Sequence, residues 1–414
     1  MKAWLLLAIA FLAAPWAFPG NFALTLLTQM GTFIIFALSY NMLLGHGGML
    51  SFGHAVYSGL GAYVAVHALN TMAKAGGFAL PLPLLPLVGG LAGLAFGVLF
   101  GYVTTKRAGT TFAMISLGIG ELVYACVLML PDFFGGEAGV STNRTALGPF
   151  LGLTFGPAMQ VYYLVAAWCL ASMVAMHALT RTPLGRMANA VRDNPERAEF
   201  VGYDTQKVRF LQLVLSAFFA GVSGALSCIN FEIVSAENVS AIRSGSILLF
   251  TFIGGIGFFF GPLLGAIVGI LFSVLLSDFT PAWQLYLGLF FVLLVRYAPG
   301  GLGSLIMLLL RAAKFGQFGR IAGPLGWVCL AVLPGLAGFI AGVEMLYHLT
   351  LEAANGSVKQ LFGMAVDTRT ALPWAVVGGL LTASILAWRK AQPVFAEAWD
   401  ESCAAIALQT RSAR

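Results

Sequence analysis

Apolar runs about as long as a bilayer is thick follow one another along this chain, separated by short polar connections. They fall at residues 3–19, 22–44, 49–70, 84–105, 110–131, 157–180, 209–231, 245–260, 262–278, 283–298, 324–348 and 372–388. A hydrocarbon core about 30 Å thick takes roughly 20 apolar residues per helix, and only helices or closed barrels satisfy the backbone inside it. The pattern predicts an all-α, polytopic membrane helix bundle of about 12 transmembrane helices, some of them broken. The opening stretch, residues 1–18, also has the form of a signal peptide, with Lys2, an apolar middle and then Ala13 and Ala14. A retained first helix is the expectation, because the next run inserts by itself.

Composition agrees with the pattern. Hydrophobic residues make up 59% of the 414 and charged residues 9%, against roughly a quarter charged in a soluble domain. A water-soluble globular fold is excluded. The five cysteines, Cys126, Cys169, Cys228, Cys329 and Cys403, lie far apart and match no metal or disulfide spacing. Among the 50 glycines, Gly89, Gly93, Gly97 and Gly101 recur every fourth residue, and Gly261, Gly265 and Gly269 repeat the spacing. Such a stripe lets a neighbouring helix dock against bare backbone.

The net charge is +6, and its distribution sets the orientation. With the N-terminus inside, 17 of the 22 Lys and Arg residues fall on the cytoplasmic side, and Lys74, Arg144, Arg243, Lys359 and Arg369 on the other. Both termini are then cytoplasmic.

Residues 181–209 are the longest polar interruption in the first 300. Thr182 can cap a helix that has Pro183 at its first position, with Leu184, Met187, Ala188 and Val191 on one face. Asn194 and Pro195 start a second short helix, Glu196 and Glu199 sit near its positive end, and Gly202 can end it. A short amphipathic helix pair of this kind suits a docking knob for an ATP-driven partner. An ordinary charged loop lying on headgroups is the alternative.

TPLGRMANAVRDNPERAEFVG (residues 182–202), followed by FLQLVLSAFFAGVSGAL, resembles the permeases of ABC importers for branched-chain amino acids, the LivM-type subunit in particular. LLGHGGMLSFGHAVYSGLGAYVA (43–65) is similar to the family's glycine-rich early helix, TFAMISLGIGELV (111–123) to its middle helix, FIGGIGFFFGPLLGA (252–266) to its broken late helix, and APGGLGSL (298–305) to its usual end. The resemblance covers roughly residues 20 to 310. GGEAGVS (135–141) fits the family's loop after the middle helix only loosely. Residues 1–320 are thus expected to form the permease core, and 321–414 an extension with two further spans and a cytoplasmic tail. The resemblance implies a bacterial inner-membrane protein that pairs with a second permease subunit. Two cytoplasmic ATPase subunits that hold the ATP and Mg, and a periplasmic substrate-binding protein, would complete the importer, with lipid around it and no nucleic acid. Urea, amides and aromatic acids are alternative cargoes within the superfamily, and a self-sufficient secondary transporter or channel is the alternative from another class. On the family pattern, Arg186, Ala190, Arg192, Asp193, Asn194, Pro195 and Arg197 are the expected coupling residues.

No Gly-Lys is followed by Ser or Thr, so the chain carries no Walker A loop, and neither a zinc-protease motif nor a nucleophile elbow appears. No catalytic residue, metal site or cofactor of its own is expected. Interrupted helices offer unwound backbone and helix ends to a substrate, which makes Gly45, Ser51, Ser116, Gly254, Gly255 and Gly257 candidates for the translocation path, with close packing around a Pro kink as the other reading. Glu121 joins them as a mid-helix carboxylate, costly to bury without a partner. It can pair with the coupling segment, a partner helix or a substrate amine, or serve as an interhelical hydrogen bond. His46 and His54 flank the early glycine-rich segment and are expected to bond backbone groups freed by its irregularity.

Overall fold

In the computed structural model, residues 2–75, 80–316, 318–351, 357–361 and 363–412 are described. They form two compact units, residues 1–274 with 291–304, and 275–290 with 305–414.

The first unit begins with α1 (Lys2–Ala17), which lies along a later helix, and α2 (Asn21–Asn41), whose end widens into a π-helical turn, Met42–His46. After a non-helical stretch come α3 (Ala55–Ala75), α4 (Leu85–Thr104), α5 (Gly109–Met129) and the single turn α6 (Pro131–Phe134). A long apolar α7 (Ala158–Arg181) leads into the polar pair α8 (Pro183–Asp193) and α9 (Pro195–Phe200), then into α10 (Thr205–Phe231). Two short strands, β1 (Val140–Ser141) and β2 (Ile233–Val234), pair antiparallel beyond the ends of these helices. The unit closes with α11 (Ala241–Gly254) and α12 (Gly261–Ile270).

At its centre α10 is the most enclosed helix, with α2 next. The glycine stripe explains how. All four of Gly89, Gly93, Gly97 and Gly101 are buried, and a Cβ on Gly221 of α10 would run into the Gly89 carbonyl while one on Gly93 would run into the Ala217 carbonyl. Gly61 of α3 meets the same point, where an added Cβ would lie 2.7 Å from the Gly221 Cα. Three helix backbones therefore touch with no side chain between them. In lipid, where apolar burial does not drive helices together, such contact gains dispersion energy along the whole interface. Hydroxyls and amides of α10 add direct bonds to α2: Ser223 Oγ donates to the Thr32 carbonyl at 2.8 Å, Ser216 Oγ to Ser39 at 2.6 Å and Gln212 Nε2 to Met42 at 2.7 Å.

The second unit holds α13 (Ser277–Phe279) and the first half of α14 (Trp283–Tyr297), then α15 (Gly301–Lys314) from Leu305 onward, α16 (Phe318–Leu351), the hairpin β3 (Val358–Leu361) with β4 (Met364–Asp367), and α17 (Ala371–Ser412). In it Glu344 is 7% exposed and bonds Thr280 Oγ1, Tyr286 OH at 3.1 Å and Lys359 Nζ at 3.0 Å.

Each of the twelve apolar runs folds largely as helix, yet among the described residues eight helices are long and apolar enough to cross a membrane, or nine when α14 and α15, bent by 50°, count as one. The expected count of about 12 is therefore not reached. Run 3–19 yields a 16-residue helix, and run 245–260 is helical only as far as Gly254, in a 14-residue helix that starts at Ala241. Run 49–70 starts outside helix and turns helical only at Ala55, and His67 and Asn70 dilute its apolar character.

Candidate functional site

The polar pair α8–α9 forms where three side-chain caps dictate it. Thr182 Oγ1 accepts the Gly185 N–H at 3.3 Å, Asn194 Oδ1 accepts that of Arg197 at 3.0 Å, and Asp204 Oδ1 accepts that of Lys207 at 3.0 Å. Each cap satisfies one donor left open in a first helical turn. Gly202, at a φ of +91°, supplies the left-handed residue that ends α9. Ala188, Val191, Ala198 and Val208 bury together, with Leu184 and Met187 against them. This small core holds α8 and α9 onto the start of α10, so the segment is a folded element.

Its other contacts lead to the interrupted end of α2. Arg192 donates to the Gly45 carbonyl, and Asn189 Oδ1 lies 3.2 Å from His46 Nδ1. Both acceptor and ring belong to the π-helical turn, where a widened ladder changes the pairing of carbonyls. Gly48, at a φ of +65°, lets the chain leave that turn, and a Cβ there would lie 2.7 Å from Arg192 Cγ. Gly45 also faces the second interrupted segment, since its added Cβ would meet the Ile256 carbonyl at 2.8 Å. The end of α8, the end of α2 and the break between α11 and α12 thus converge.

The other expected path residues divide. Gly254 and Gly255 are buried, and Gly255, at a φ of +105°, lies against the backbone of Gly300 and Gly301, so both serve close approach of chain segments. Gly257 is exposed with nothing within 4 Å of an added Cβ. Ser116 is buried, donating to the Ala113 carbonyl at 2.8 Å and accepting the Phe52 N–H at 3.1 Å, and the Ser51 carbonyl accepts Tyr40 OH at 2.9 Å. These two tie the non-helical stretch before α3 to its neighbours. Glu121 stands on the exposed face of α5 with Met114, Gly118 and Ala125, without a hydrogen-bond or ion-pair partner among the described residues. His54 is fully buried, its Nε2 3.0 Å from Ser39 Oγ and its ring stacked on Phe36 at 5.5 Å. The partners of His46 and His54 are thus side chains, where freed backbone was expected, because the π turn directs its carbonyls to Gln212 and Arg192.

Facing away from the bundle, Arg186, Ala190, Asp193, Pro195 and Arg197 are exposed, Asn194 is half-buried, and Arg192 divides its guanidinium between Gly45 and Asp193 at 2.8 Å. Sequence reasoning missed Phe200 and Val201, which are 89% and 75% exposed at the end of α9. Their signal was present: two large apolar residues between Glu199 and a helix-ending glycine have no buried face to join. Asn189 and Gln212 were missed as well, because nothing in a linear pattern links them to residues about 150 positions away.

Residues 22–297 match the family described as "Branched-chain amino acid transport system / permease component". The chain is 30% identical over 321 residues to the high-affinity branched-chain amino acid transport system permease protein LivM of Escherichia coli, covering 72% of this chain and 74% of that protein. It is 28% identical over 319 residues to the LivM of Salmonella typhimurium, with the same coverage. A fructose import permease protein, FrcC of Rhizobium meliloti, is 27% identical over 226 residues, which is 51% of this chain and 62% of that protein. No solved structure matches. The chain belongs to the permease-component family of branched-chain amino acid transport systems.

Proposed function

We propose that this chain is a transmembrane permease subunit of an ATP-driven importer for branched-chain amino acids, that α8 and α9 receive its ATPase, and that a second permease subunit completes the pathway. The observation that carries the reading is the double character of the α8–α9 pair. One side of α8 bonds the interrupted end of α2 through Arg192 and Asn189, while the opposite face of the pair leaves cations and, at the end of α9, the apolar residues Phe200 and Val201 in the open. A force applied to the exposed side has a short, hydrogen-bonded route to the break in the bundle. The chain itself performs no chemistry in this scheme, and ATP with its Mg belongs to the partner. The 17-to-5 division of Lys and Arg supports an inner-membrane orientation with both termini and α8 cytoplasmic. The amino-acid cargo follows the names of the LivM relatives, and a binding protein outside the membrane would select it.

Co-purification tests the docking half. With Phe200→Glu and Val201→Glu together, the permease is expected to remain in the membrane at normal yield while the associated ATPase falls at least tenfold. Full retention of ATPase by that variant, or by a further one carrying Arg186→Glu and Arg197→Glu, overturns the assignment of α8 and α9.

A further inference from the structure

The two long helices of the second unit are closely packed over only part of their length. Gly335, Gly338 and Gly342 of α16 recur at helical spacing, and an added Cβ on Gly338 would lie 3.0 Å from Leu380 and one on Gly342 3.3 Å from Val377. Ser384 Oγ donates to the Ala331 carbonyl at 2.8 Å and closes this contact. Beyond it the glycine spacing stops at Pro334, and the facing positions become Ala331, Ala387 and Ala391. Alanines are too small to fill the space between helices that glycine no longer brings together. The result is a groove of about 430 Å³, flanked by Trp327 on α16 and Val394 on α17, with Lys390 at its side. That volume lies in the range of ligand sites, about 300–1,000 Å³.

The lining is apolar apart from one cation. Lys390 is exposed and has no ion-pair partner among the described residues. Its stem can lie along the groove while the ammonium reaches the interface, and Trp327, also largely exposed, is the residue type that settles at headgroup level. From Ala387 to Val394 the groove runs about 10 Å along the helix axis, room for the upper half of one extended acyl chain.

We propose that this groove is a binding site for an anionic glycerophospholipid, one acyl chain lying between Trp327 and Ala391 and the phosphodiester meeting Lys390. The inference needs only that the chain sits in a membrane, and it stands apart from the coupling role of α8 and α9. In a bilayer an acyl chain gains little by leaving its neighbours, so the apolar lining sets the shape of the occupant and the ammonium sets its charge. A soluble anion has no use for the alanine trough, and a zwitterionic lipid has no net charge to offer Lys390.

Full-length protein in nanodiscs of graded composition tests this, using phosphatidylglycerol and phosphatidylcholine with the same brominated acyl chains as quenchers of tryptophan fluorescence. The Trp327→Phe variant isolates the local signal. That signal is expected to reach half-quenching at an about fivefold lower fraction of phosphatidylglycerol than of phosphatidylcholine. Lys390→Gln should bring the two lipids together, and Ala391→Phe should weaken quenching by both. Equal quenching in the unmodified protein, a preference that survives Lys390→Gln, or displacement by chain-free glycerol phosphate would each overturn the proposal.

Discussion

At the scale of single residues, the meeting of Gly61, Gly89 and Gly221 brings three helix backbones of the first unit together with no room for a side chain. A side chain at Gly221 meets a backbone carbonyl, which cannot rotate away as a flexible side chain can. Gly221→Val should cost more than the roughly 1–3 kcal/mol of an ordinary overpacked core and abolish recovery of monodisperse protein. Gly245→Ala, with open space at its Cβ, should leave yield unchanged. Equal yields from both variants would mean that the three-helix contact does not limit folding. Asp204 offers a test by titration. The Lys207 backbone N–H first, and then its side chain, hold this carboxyl below the usual aspartate range. A carboxylate with a depressed pKa stabilises the fold above its unfolded pKa, and the contribution disappears as pH falls through the folded value. Stability of the α10 start, followed by hydrogen exchange of the Lys207 amide, should therefore decline below about pH 4. In Asp204→Asn the cap persists without a charge and that acid step should vanish.

Among the elements, the decisive one is the π-helical turn that closes α2. A π turn widens the helix and costs hydrogen-bond geometry, and such turns recur at functional positions. Here Gln212 supports it from within the bundle and Arg192 and Asn189 from α8. If this turn relays motion, Arg192→Gln together with Asn189→Ala should leave ATPase docking intact, because the exposed face of α9 is untouched, and lower the ratio of amino acid imported to ATP hydrolysed severalfold, the scale of a lost charged hydrogen bond. An unchanged ratio in reconstituted importer would remove α8 from the coupling route. The helical nature of α8 and α9 was legible in the sequence, since Thr182, Asn194, Pro183, Pro195 and Gly202 are local signals whose physics acts within four residues. The break after Gly45 was legible too, from its glycines. What it bonds to was not, because Gln212 and Asn189 meet it only through the folded chain. The count of about 12 spans is not confirmed for a related reason: α11 is a partly buried apolar helix of 14 residues that ends at Gly254, and an apolar run in the sequence does not show how much of it will be helix.

For the molecule as a whole, the apolar runs near 324–348 and 372–388 read as an appendix to a core ending near residue 320, yet within the second unit Glu344 of α16 is bonded by Thr280 and Tyr286, from the segment 275–290 that precedes that boundary. A carboxylate this enclosed, paired with Lys359 at 3.0 Å, is expensive to leave with half its partners. Glu344→Ala should accordingly destabilise the second unit by about 3 kcal/mol, and the loss should be smaller when Lys359→Met is already present, since each side chain is then removed from a pair that no longer exists. A chain ending at residue 320 carries the deletion further. It keeps Thr280 and Tyr286 but takes away α16, the β3–β4 hairpin and α17 together, so residues 275–290 lose the unit in which they are packed. Limited proteolysis in nanodiscs should then cut the shortened chain within 275–290 while the full chain resists there. Equal protection of that segment in both would show that the core folds without the extension and that the Glu344 cluster serves the last two helices alone.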